Sequence, residues 1–581
     1  NYFNYKIKDK FLIIIVHIMC GIFATINNNQ KTSIIEKEFI KGKDRGPEFS
    51  ILKTYNNITI GFHRLAINGL NQKSNQPFEI DNLVLVCNGE IYNFRQLAIA
   101  NNITLTTDSD CEIILHLYRL YGLEYTLHLL DGVFAFIIYD KLKANFIVAR
   151  DPYGVRPLYY YIDSNEYGFA SDLKSIYKLP YRKNIIQNFL PGNYMILTSI
   201  NSKIKCYLNK YHNFPYTNNI NQTVNNELCK EIYNTFSNAI KKRVISTTER
   251  PIGCLLSGGL DSSIVAAFVN LYVNQNNTTN ISKQIETFSI GLPGSEDLKY
   301  AKIVAKHINS KHHEIVVSQQ EFFNAIPEVI DKIASYDTTT VRASVGNYLV
   351  AKYIKENTDC KVIFNGDGAD ELMGGYLYFK KSPNEYEFDK ESRRLLKDIY
   401  MFDVLRSDRS ISSNGLEPRT PFLDKTWVEF YLSINIKLRF ESTINRCEKF
   451  LFRKAIETIN EDLLPKEILW RTKEAFSDGV SSLDKSWYQI ISEKIIDLFK
   501  DDKNFLEHRL ISTCNLYKKF NLSNNIPETY EQAYYRYLYN KSYQGTDHLI
   551  NYFWMPKYVN AKDASARSLK IYNQKNSNTA M

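Results

Sequence analysis

The stretch Ile252–Ile264 constrains the fold of this chain most, because it joins an apolar run, a glycine turn and a helix start. The run Ile252–Leu256 has the length of a buried strand, and the apolar residues Ile264–Val269 begin a segment of helix length. Glycines let a backbone approach a ligand closely, and the first N–H groups of a helix have no partner within it. Such a turn favours an anion, so we predict a phosphate-binding site. Its predicted contacts are Ser257, Gly258, Gly259, Ser262 and Ser263.

Asp261 lies in the same turn but is unsuited to bind phosphate, since both groups are negative. A carboxylate at this place suits a Mg²⁺ ion that accompanies the phosphate. The spacing differs from the GxxxxGK[ST] phosphate loop, because no lysine follows the glycines. A ligand-free glycine turn that serine and aspartate cap is the alternative interpretation.

Length and composition set the broad class of the protein. A chain of 581 residues is long enough for two or more domains, each with its own core. The net charge of +9 is mild for this length and no dense basic tract occurs, so we expect no nucleic-acid partner. The nine cysteines include no CxxC pair, which argues against a zinc site or a disulfide framework and indicates a reducing, cytoplasmic location.

Residues 1–19 resemble the start of a signal peptide, since lysines precede the apolar run Phe11–Val16. This run is much shorter than the ~20 residues of a membrane span, and the large residues His17–Met19 offer no small-residue cleavage site. We therefore expect no membrane partner. We also expect translation to start at Met19, so that residues 1–19 are an extension that is untranslated or removed.

Cys20 follows Met19 and becomes the N-terminal residue if that methionine is trimmed. Its free α-amino group, with a pKa near ~8, could then act as the general base for its own thiol. An upstream extension would turn this amine into an amide and remove the base. A buried cysteine in a strand is the alternative, structural interpretation.

Several motifs after Cys20 supply what such a nucleophile needs. The run Leu83–Cys87 predicts a strand ending at Asn88 and Gly89, whose side-chain amide and backbone N–H have the composition of an oxyanion hole. The segments MCGIF, RGP, HRL, NGEIYN and SD occur in that order. Together they resemble the glutamine amidotransferase domain of the N-terminal-nucleophile class, which implies an αββα sandwich.

This resemblance also implies roles for individual residues. Arg64 would bind the glutamine carboxylate, for which a bidentate guanidinium is suited. Glu90 and Asp110 would hold the glutamine amino group, and Asn88 and Gly89 would stabilise the oxyanion. One departure is that relatives commonly read RHRGPD where this chain has Lys43–Glu48, KDRGPE.

The second half of the chain alternates helical and strand patterns, which predicts a Rossmann-like parallel sheet with helices on both faces, an α/β domain. Ligands of such sheets lie at the carboxyl ends of the strands, where Ser289–Gly291 and Asn365–Glu371 join the glycine turn. The predicted division is 20–208 for the first domain, 209–226 for a polar linker, 227–567 for the second domain and 568–581 for a tail. The elements expected in the second domain are helices 227–243, 262–273, 297–308 and 343–356 and strands 252–256, 285–291, 313–317 and 361–365.

The motif SGGxDSS alone is typical of many ATP pyrophosphatases, including GMP synthetase, NAD synthetase and tRNA-thiolation enzymes. Here the amidotransferase motifs precede it, and YDTTTVRAS, GGY, PFLD and KEAFSDG follow it. This combination is similar to the glutamine-hydrolysing asparagine synthetases, and the tail Trp554–Lys557 resembles their eukaryotic form. The resemblance covers Cys20 to about Arg567.

The resemblance implies an enzyme that makes asparagine from aspartate, with ATP as a substrate and glutamine as the nitrogen donor. A cysteine thioester and a β-aspartyl adenylate would be the intermediates, and ammonia would pass internally between the sites. A homodimer is compatible with the sequence. The implied nucleotide contacts are Leu256, Ile290, Asn365 and Gly366, the implied Mg²⁺ ligands are Asp261 and Asp370, and the implied groups around pyrophosphate and adenylate are Thr339, Arg342 and Lys473.

Three other functions stay open from the sequence. An ammonia-dependent synthetase with an inactive glutaminase would result if residues 1–19 remained attached to Cys20. Another ATP-pyrophosphatase amidotransferase acting on tRNA would need catalytic cysteine pairs or an RNA-binding module, and the sequence shows neither. A non-catalytic binding protein built on the same fold is the third.

Asp367 generates a first testable prediction, because relatives read SGEGSDE where this chain reads NGDGADE. The family glutamate is tied to forming the adenylate or guiding ammonia, and aspartate retracts the carboxylate by about 1.5 Å. A misplacement of this size can cost about a hundredfold in rate. We expect Asp367→Glu to increase ammonia-dependent asparagine formation, measured at saturating ATP and aspartate. An unchanged or lower rate would contradict this interpretation of Asp367.

Overall fold

A computed structural model describes most of the chain. The described residues are 20–200, 203–216, 222–247, 249–275, 284–473, 479–481, 485–500, 525–561, 563–565 and 567. Among them, no helix combines the length and the apolar character that a membrane crossing requires.

The first part of the chain forms two six-stranded sheets with strand orders β10-β8-β9-β1-β3-β2 and β12-β11-β7-β6-β5-β4. Every strand pair in them is antiparallel. The strands are β1 (Gly21–Ile26), β2 (Phe49–Tyr55), β3 (Ile58–Arg64), β4 (Phe78–Ile80), β5 (Leu83–Ile91), β6 (Gly132–Asp140), β7 (Asn145–Arg150), β8 (Tyr159–Asp163), β9 (Glu166–Ala170), β10 (Ile186–Asn188), β11 (Asn193–Ile200) and β12 (Lys203–Lys210).

Apolar side chains from both sheets meet in one core, which includes Ile22 and Phe62 from the first sheet and Val86 and Ile137 from the second. Alternate residues of a strand face opposite sides, so each sheet also offers an outer face. Helices cover these faces, which gives the four-layered αββα sandwich that the sequence predicts. These helices are α1 (Thr32–Ile40), α2 (Phe94–Ala100), α3 (Ile113–Tyr121), α4 (Leu123–Leu129) and α5 (Leu173–Ile176).

The later part of the chain is built on a five-stranded parallel sheet with strand order β15-β14-β13-β16-β17. Its strands are β13 (Ile252–Leu255), β14 (Glu286–Gly291), β15 (Lys311–Val316), β16 (Val362–Phe364) and β17 (Glu417–Arg419). The accompanying helices are α6 (Asn226–Ile245), α7 (Leu260–Gln275), α8 (Glu296–His307), α9 (Gln319–Asn324), α10 (Ile326–Ile333), α11 (Thr338–Asn357), α12 (Ala369–Met373), α13 (Glu385–Asp398), α14 (Asp403–Ser412), α15 (Lys425–Ser433), α16 (Ile436–Asn445), α17 (Phe450–Ile459), α18 (Lys466–Leu469), α19 (Trp487–Leu498) and α20 (Tyr530–Tyr543).

The predicted alternation of helices and strands between residues 227 and 365 is confirmed, but the structure adds two helices that were not predicted, α9 and α10, and one helix has markedly different bounds. Helix α11 begins at Thr338 and not at residue 343, because the Asp337 carboxylate accepts a hydrogen bond from the Thr340 N–H at 2.8 Å and caps the helix. The consecutive threonines at 338–340 have low helix propensity, which concealed this start in the sequence. The first turn of α11 therefore carries Thr339, and Arg342 follows in the second turn.

Buried ion pairs join the sandwich to the parallel-sheet domain. Asp408 on α14 accepts two hydrogen bonds from the Arg45 guanidinium, at 2.7 and 3.1 Å. A nitrogen of Arg156 lies 3.4 Å from the same carboxylate, and another lies 3.3 Å from Glu417 on β17. All four side chains are buried, so each charge depends on its partners for compensation.

Asp408→Asn tests the contribution of this interface. The substitution leaves two buried arginines without their shared carboxylate, so we expect a destabilisation of about 3–5 kcal/mol. The midpoint of thermal unfolding, followed by calorimetry, measures it. Asp81→Asn is the matched control, because Asp81 forms an exposed ion pair with Arg119 at 2.9 Å and exposed pairs contribute about 1 kcal/mol or less. Equal midpoints for the two variants would contradict the account.

Candidate active sites

Cys20 lies directly before β1, with its thiol against Leu65, the residue that follows β3. The Sγ donates to the Leu65 carbonyl at 3.3 Å and accepts from the Leu65 N–H at 3.4 Å. Arg45 holds the main chain, since its Nε donates to the Cys20 carbonyl at 3.1 Å. Burial raises the pKa of the Cys20 thiol to about 12. The thiol is therefore neutral at pH 7 and needs a base to become a nucleophile.

Asn88 and Gly89 differ from the prediction in their local structure. Strand β5 does not end there but continues to Ile91, because its pairing with β6 extends to Gly132. The amide of Asn88 lies near the start of β1, since its Nδ2 donates at 3.4 Å to the Ser171 Oγ that also accepts the Ile22 N–H.

The Gly89 N–H points to the edge of β5 that faces away from β6, because N–H directions alternate along a strand. On that edge the Cys87 N–H donates to Gln76 and the Ile91 N–H donates to Asp110, each at 2.6 Å. Gly89 lies between them with the same orientation. A side chain here is excluded, since a Cβ would lie 2.5 Å from the Val133 carbonyl. The strand edge, not a strand end, thus presents the predicted oxyanion donor.

Arg64 ends β3 and extends into the loop that follows. Its guanidinium donates to the Asn71 carbonyl at 3.0 Å and to the Asn75 side chain at 2.6 Å. Asn68 of the same loop connects Arg64 to Glu90, because the Asn68 side chain donates to the Glu90 carboxylate at 3.1 Å. The predicted carboxylate-binding and amino-binding groups therefore border the same loop.

Glu90 and Asp110 form a buried acidic pair. Burial raises the pKa of Asp110 to about 6, and burial together with the Asp110 charge raises the pKa of Glu90 well above its usual range. Two carboxylates in such surroundings favour an arriving ammonium group, which would restore their charged forms. This property fits the amino group of an amino-acid substrate.

The second site is a cavity at the carboxyl ends of β13, β14 and β16. Most of the predicted nucleotide residues line it, whereas Gly258, Ser263 and Arg342 do not. Gly258 has φ +70° and a Cβ there would lie 2.4 Å from the Ala301 nitrogen, so its role is to let the turn pass close to α8. The predicted residues in the lining are Leu256, Ser257, Gly259, Asp261, Ser262, Ile290, Thr339, Asn365, Gly366, Asp367, Asp370 and Lys473.

Asp261 and Asp370 converge on two ammonium groups in this cavity. The Lys449 Nζ lies 2.6 Å from Asp261 and 2.5 Å from Asp370, and the Lys473 Nζ lies 2.7 Å from Asp370. Burial opposes the charge of Asp370, yet these lysines hold the pKa of its carboxyl far below the usual range. Both carboxylates can therefore share one cation. The segment 474–478 of the KEAFSDG motif lies outside the described residues.

Asp367 lines the same cavity, where its carboxylate bonds the Arg406 guanidinium at 2.5 Å. Arg406 also pairs with Asp403 at 3.0 Å. The Tyr376 hydroxyl donates to Asp403 at 3.0 Å and also contacts Glu371. This part of the cavity is thus acidic, and Arg406 compensates only part of its charge.

Arg342 is held away from the cavity lining by carboxylates from the C-terminal part of the chain. Its Nε donates to Glu531 and its Nη1 donates to Asp563, both at 2.9 Å. Arg342 lies one helical turn after the lining residue Thr339 on α11. The predicted contact of Arg342 with pyrophosphate stays a prediction, and in this structure the guanidinium instead anchors α11 to the C-terminal segment.

The sequence predictions left out several charged or polar lining residues, among them Asp403, Arg406 and Lys449, and gave no role to Tyr376 of the GGY motif. Asp403, Arg406 and Lys449 come from segments without a motif, so no local pattern marked them. The acidic turn Asn365–Glu371 was the available signal, since buried carboxylates require cationic partners and Lys449 and Arg406 are those partners here.

Comparisons with known proteins match both parts of the chain. Residues 19–233 match the family described as glutamine amidotransferase domain, and residues 231–386 and 380–519 match the family described as asparagine synthase. The glutamine-hydrolysing asparagine synthetase of Gallus gallus is 41% identical over 577 residues, covering 95% of this chain and 99% of the relative. Those of Homo sapiens and Mus musculus are each 40% identical, with the same coverage of both chains.

Solved structures show a weaker likeness. The allosteric regulatory enzyme of purine biosynthesis has 17% identity and a TM-score of 0.29, covering 51% of this chain and 80% of that chain. A likeness of this size carries no argument about function.

Lys449→Met tests the role of the buried ammonium in the cavity. Removal of a charge aimed at a reacting centre costs about a hundredfold or more in rate, so we expect ammonia-dependent asparagine formation to fall by about that factor. Glutamine hydrolysis, measured as glutamate release, should stay unchanged because Cys20 lies in the other domain. Lys454→Met is the matched control, since Lys454 lies on helix α17, which begins directly after Lys449, but pairs with Glu457 at the surface. Equal activity of both variants would contradict the assignment.

Proposed function

The chain belongs to the glutamine-hydrolysing asparagine synthetases, and we propose how its two sites divide the reaction of that family. The site around Cys20 would release ammonia from glutamine. The cavity of the parallel sheet would use ATP to activate aspartate, which ammonia then converts to asparagine. The observation that supports this division is the cavity itself, where the predicted phosphate turn, Asp261 and Asp370 meet two lysines.

In the first site, the Cys20 sulfur would attack the side-chain amide carbon of glutamine. Asn88 and the Gly89 N–H stabilise the oxyanion, and the collapse of this intermediate gives a thioester and ammonia. Water then hydrolyses the thioester to glutamate. Arg64 binds the substrate carboxylate, while Glu90 and Asp110 bind its ammonium group, whose positive charge would lower their raised pKa values and favour their charged forms.

In the second site, the β-carboxylate of aspartate would attack the α-phosphate of ATP, because a free carboxylate has no viable leaving group. Pyrophosphate leaves toward the turn Ser257–Ser263, where Lys449 and Lys473 offset its charge. Ammonia then displaces AMP and forms the amide bond. The acidic part of the cavity at Glu371 and Asp403 suits the α-ammonium group of aspartate.

A Mg²⁺ ion is part of this proposal, and the residues fit one. The Lys449 ammonium already lies within 2.6 Å of both Asp261 and Asp370, so the two carboxylates can reach a common cation. Oxygen ligands of this kind are those Mg²⁺ prefers. Asp261 and Asp370 would hold the ion, and its charge would offset that of the phosphates.

Three further features belong to the proposal. We place the first domain at 20–208, the linker at 209–226 and the second domain at 227–567. Strand β12 ends at Lys210 and α6 begins at Asn226, within two residues of those limits. We also propose a cytoplasmic protein with small-molecule substrates, which the absence of CxxC pairs supports, and a homodimer is compatible with it.

The N-terminus of the active protein provides the test of the glutaminase half. We expect protein that starts at Cys20 to hydrolyse glutamine, with activity rising as pH increases through the amine pKa near ~8, because the neutral amine is the base. Protein that retains residues 1–19, and the variant Cys20→Ala, should lose this activity but keep ammonia-dependent synthesis. Mass spectrometry of the N-terminus with a glutaminase assay measures both.

The same pair of measurements distinguishes the alternatives. Full glutaminase activity in protein whose residues 1–19 are intact would contradict the role of the Cys20 amine. Ammonia-dependent synthesis without glutaminase activity in protein that starts at Cys20 would favour the synthetase with an inactive glutaminase.

A further inference from the structure

An arginine of the parallel-sheet domain reaches into the glutamine site of the sandwich. Arg419 ends β17, and its side chain is buried. Its Nη2 lies 3.3 Å from the Oε2 of Glu90, the carboxylate proposed to bind the glutamine ammonium. The two residues are far apart in the chain and belong to different domains.

The other contacts of Arg419 fix its guanidinium in this direction. The Nε bonds Glu417 at 2.5 Å, and Nη1 donates to the Arg243 carbonyl at 3.4 Å. The guanidinium carbon lies 5.2 Å from the centre of the Tyr92 ring. Nη2 is therefore the part of the fork that remains for Glu90, with which it forms an ion pair without a hydrogen bond.

The contact with Arg419 affects whether the Glu90 carboxyl is charged, because the other surroundings of Glu90 on balance favour its protonated form. Burial and the nearby carboxylates favour the protonated form of Glu90, whereas Arg419 and Arg156 favour the charged form. Only the charged form can pair with an ammonium group. The titratable and charged groups that face Glu90 from the elements around it are Cys20, Cys111, Asp110, Arg156, Glu417 and Arg419.

We propose that Arg419 is a positioning residue for glutamine, so that an arginine of the synthetase domain completes the glutamine site of the other domain. The inference rests on the proposed function, in which Glu90 receives the glutamine ammonium. Arg419 keeps this carboxylate charged and holds it toward Asn68, which donates to the same oxygen at 3.1 Å. Arg419 does not touch the reacting atoms.

The main chain of Arg419 has a separate contact with the second site. Its carbonyl accepts a hydrogen bond from the Asn365 N–H at 3.1 Å, at the loop that lines the ATP cavity. A side-chain substitution leaves this backbone contact in place. Side-chain substitutions at position 419 should thus change the activity of the glutamine site and leave that of the ATP site unchanged.

Arg419→Gln in the full chain tests the inference. We expect the KM for glutamine in the glutaminase assay to rise at least tenfold at pH 7.5. The KM should rise further as pH falls, because Glu90 without its cation is protonated at higher pH and loses the ammonium contact. Arg419→Lys should restore most of the affinity and of the pH profile. Ammonia-dependent asparagine formation should stay within twofold of the unchanged protein in both variants.

Arg243→Gln is the matched control, since Arg243 is also buried over the Tyr92 ring, at 4.5 Å, but bonds Asp424 instead of Glu90. A glutamine KM and pH profile unchanged in Arg419→Gln would overturn the inference. Equal losses of glutaminase and ammonia-dependent activity in Arg419→Gln and Arg243→Gln would also overturn it, because they would show that Arg419 has a purely structural role.

Glu90→Gln distinguishes a failure of this inference from a failure of the proposed role of Glu90 on which it rests. If Glu90→Gln raises the glutamine KM but Arg419→Gln does not, only the role of Arg419 is wrong. If Glu90→Gln leaves the KM unchanged, the proposed role of Glu90 is wrong and the inference falls with it.

Discussion

Buried arginines that cross from one domain to the other hold both active sites in place. Arg45 and Arg156 of the sandwich share Asp408 of α14, and Arg419 of the parallel-sheet domain faces Glu90 of the sandwich. A buried charge without a partner is costly, so these contacts favour one arrangement of the two domains. Arg45 also bonds the Cys20 carbonyl, which places the proposed nucleophile in direct contact with this interface.

The short strand β17 has a central place in this arrangement. It supplies Glu417 to Arg156 and Arg419 to Glu90, while its backbone pairs with β16 and bonds Asn365 of the ATP cavity. The strand thus adjoins the glutamine site on one side and the nucleotide site on the other. Such closeness suits a reaction in which ammonia from one site is consumed in the other, because ammonia released to water at neutral pH becomes protonated.

The periodic segments could be predicted from the sequence, and the contacts between distant segments could not. The alternation from α6 to β16 was readable because apolar runs and glycine turns follow one another, and the confirmed parallel sheet puts Asp261 and Asp370 at one edge. The start of α11 and the full length of β5 were missed, since the cap at Asp337 and the pairing with β6 depend on tertiary structure. Lys449 and Arg419 carry no motif, and only folding brings them to the two sites.

The central proposal is that ammonia passes from the site around Cys20 to the cavity of the parallel sheet without release into water. Its most direct test supplies glutamine labelled with ¹⁵N in the side-chain amide, together with excess unlabelled ammonium, and measures the ¹⁵N content of the asparagine formed. The account predicts asparagine that carries ¹⁵N with little dilution by the ammonium in solution. Asparagine whose ¹⁵N content matches that of the ammonium in solution would contradict it.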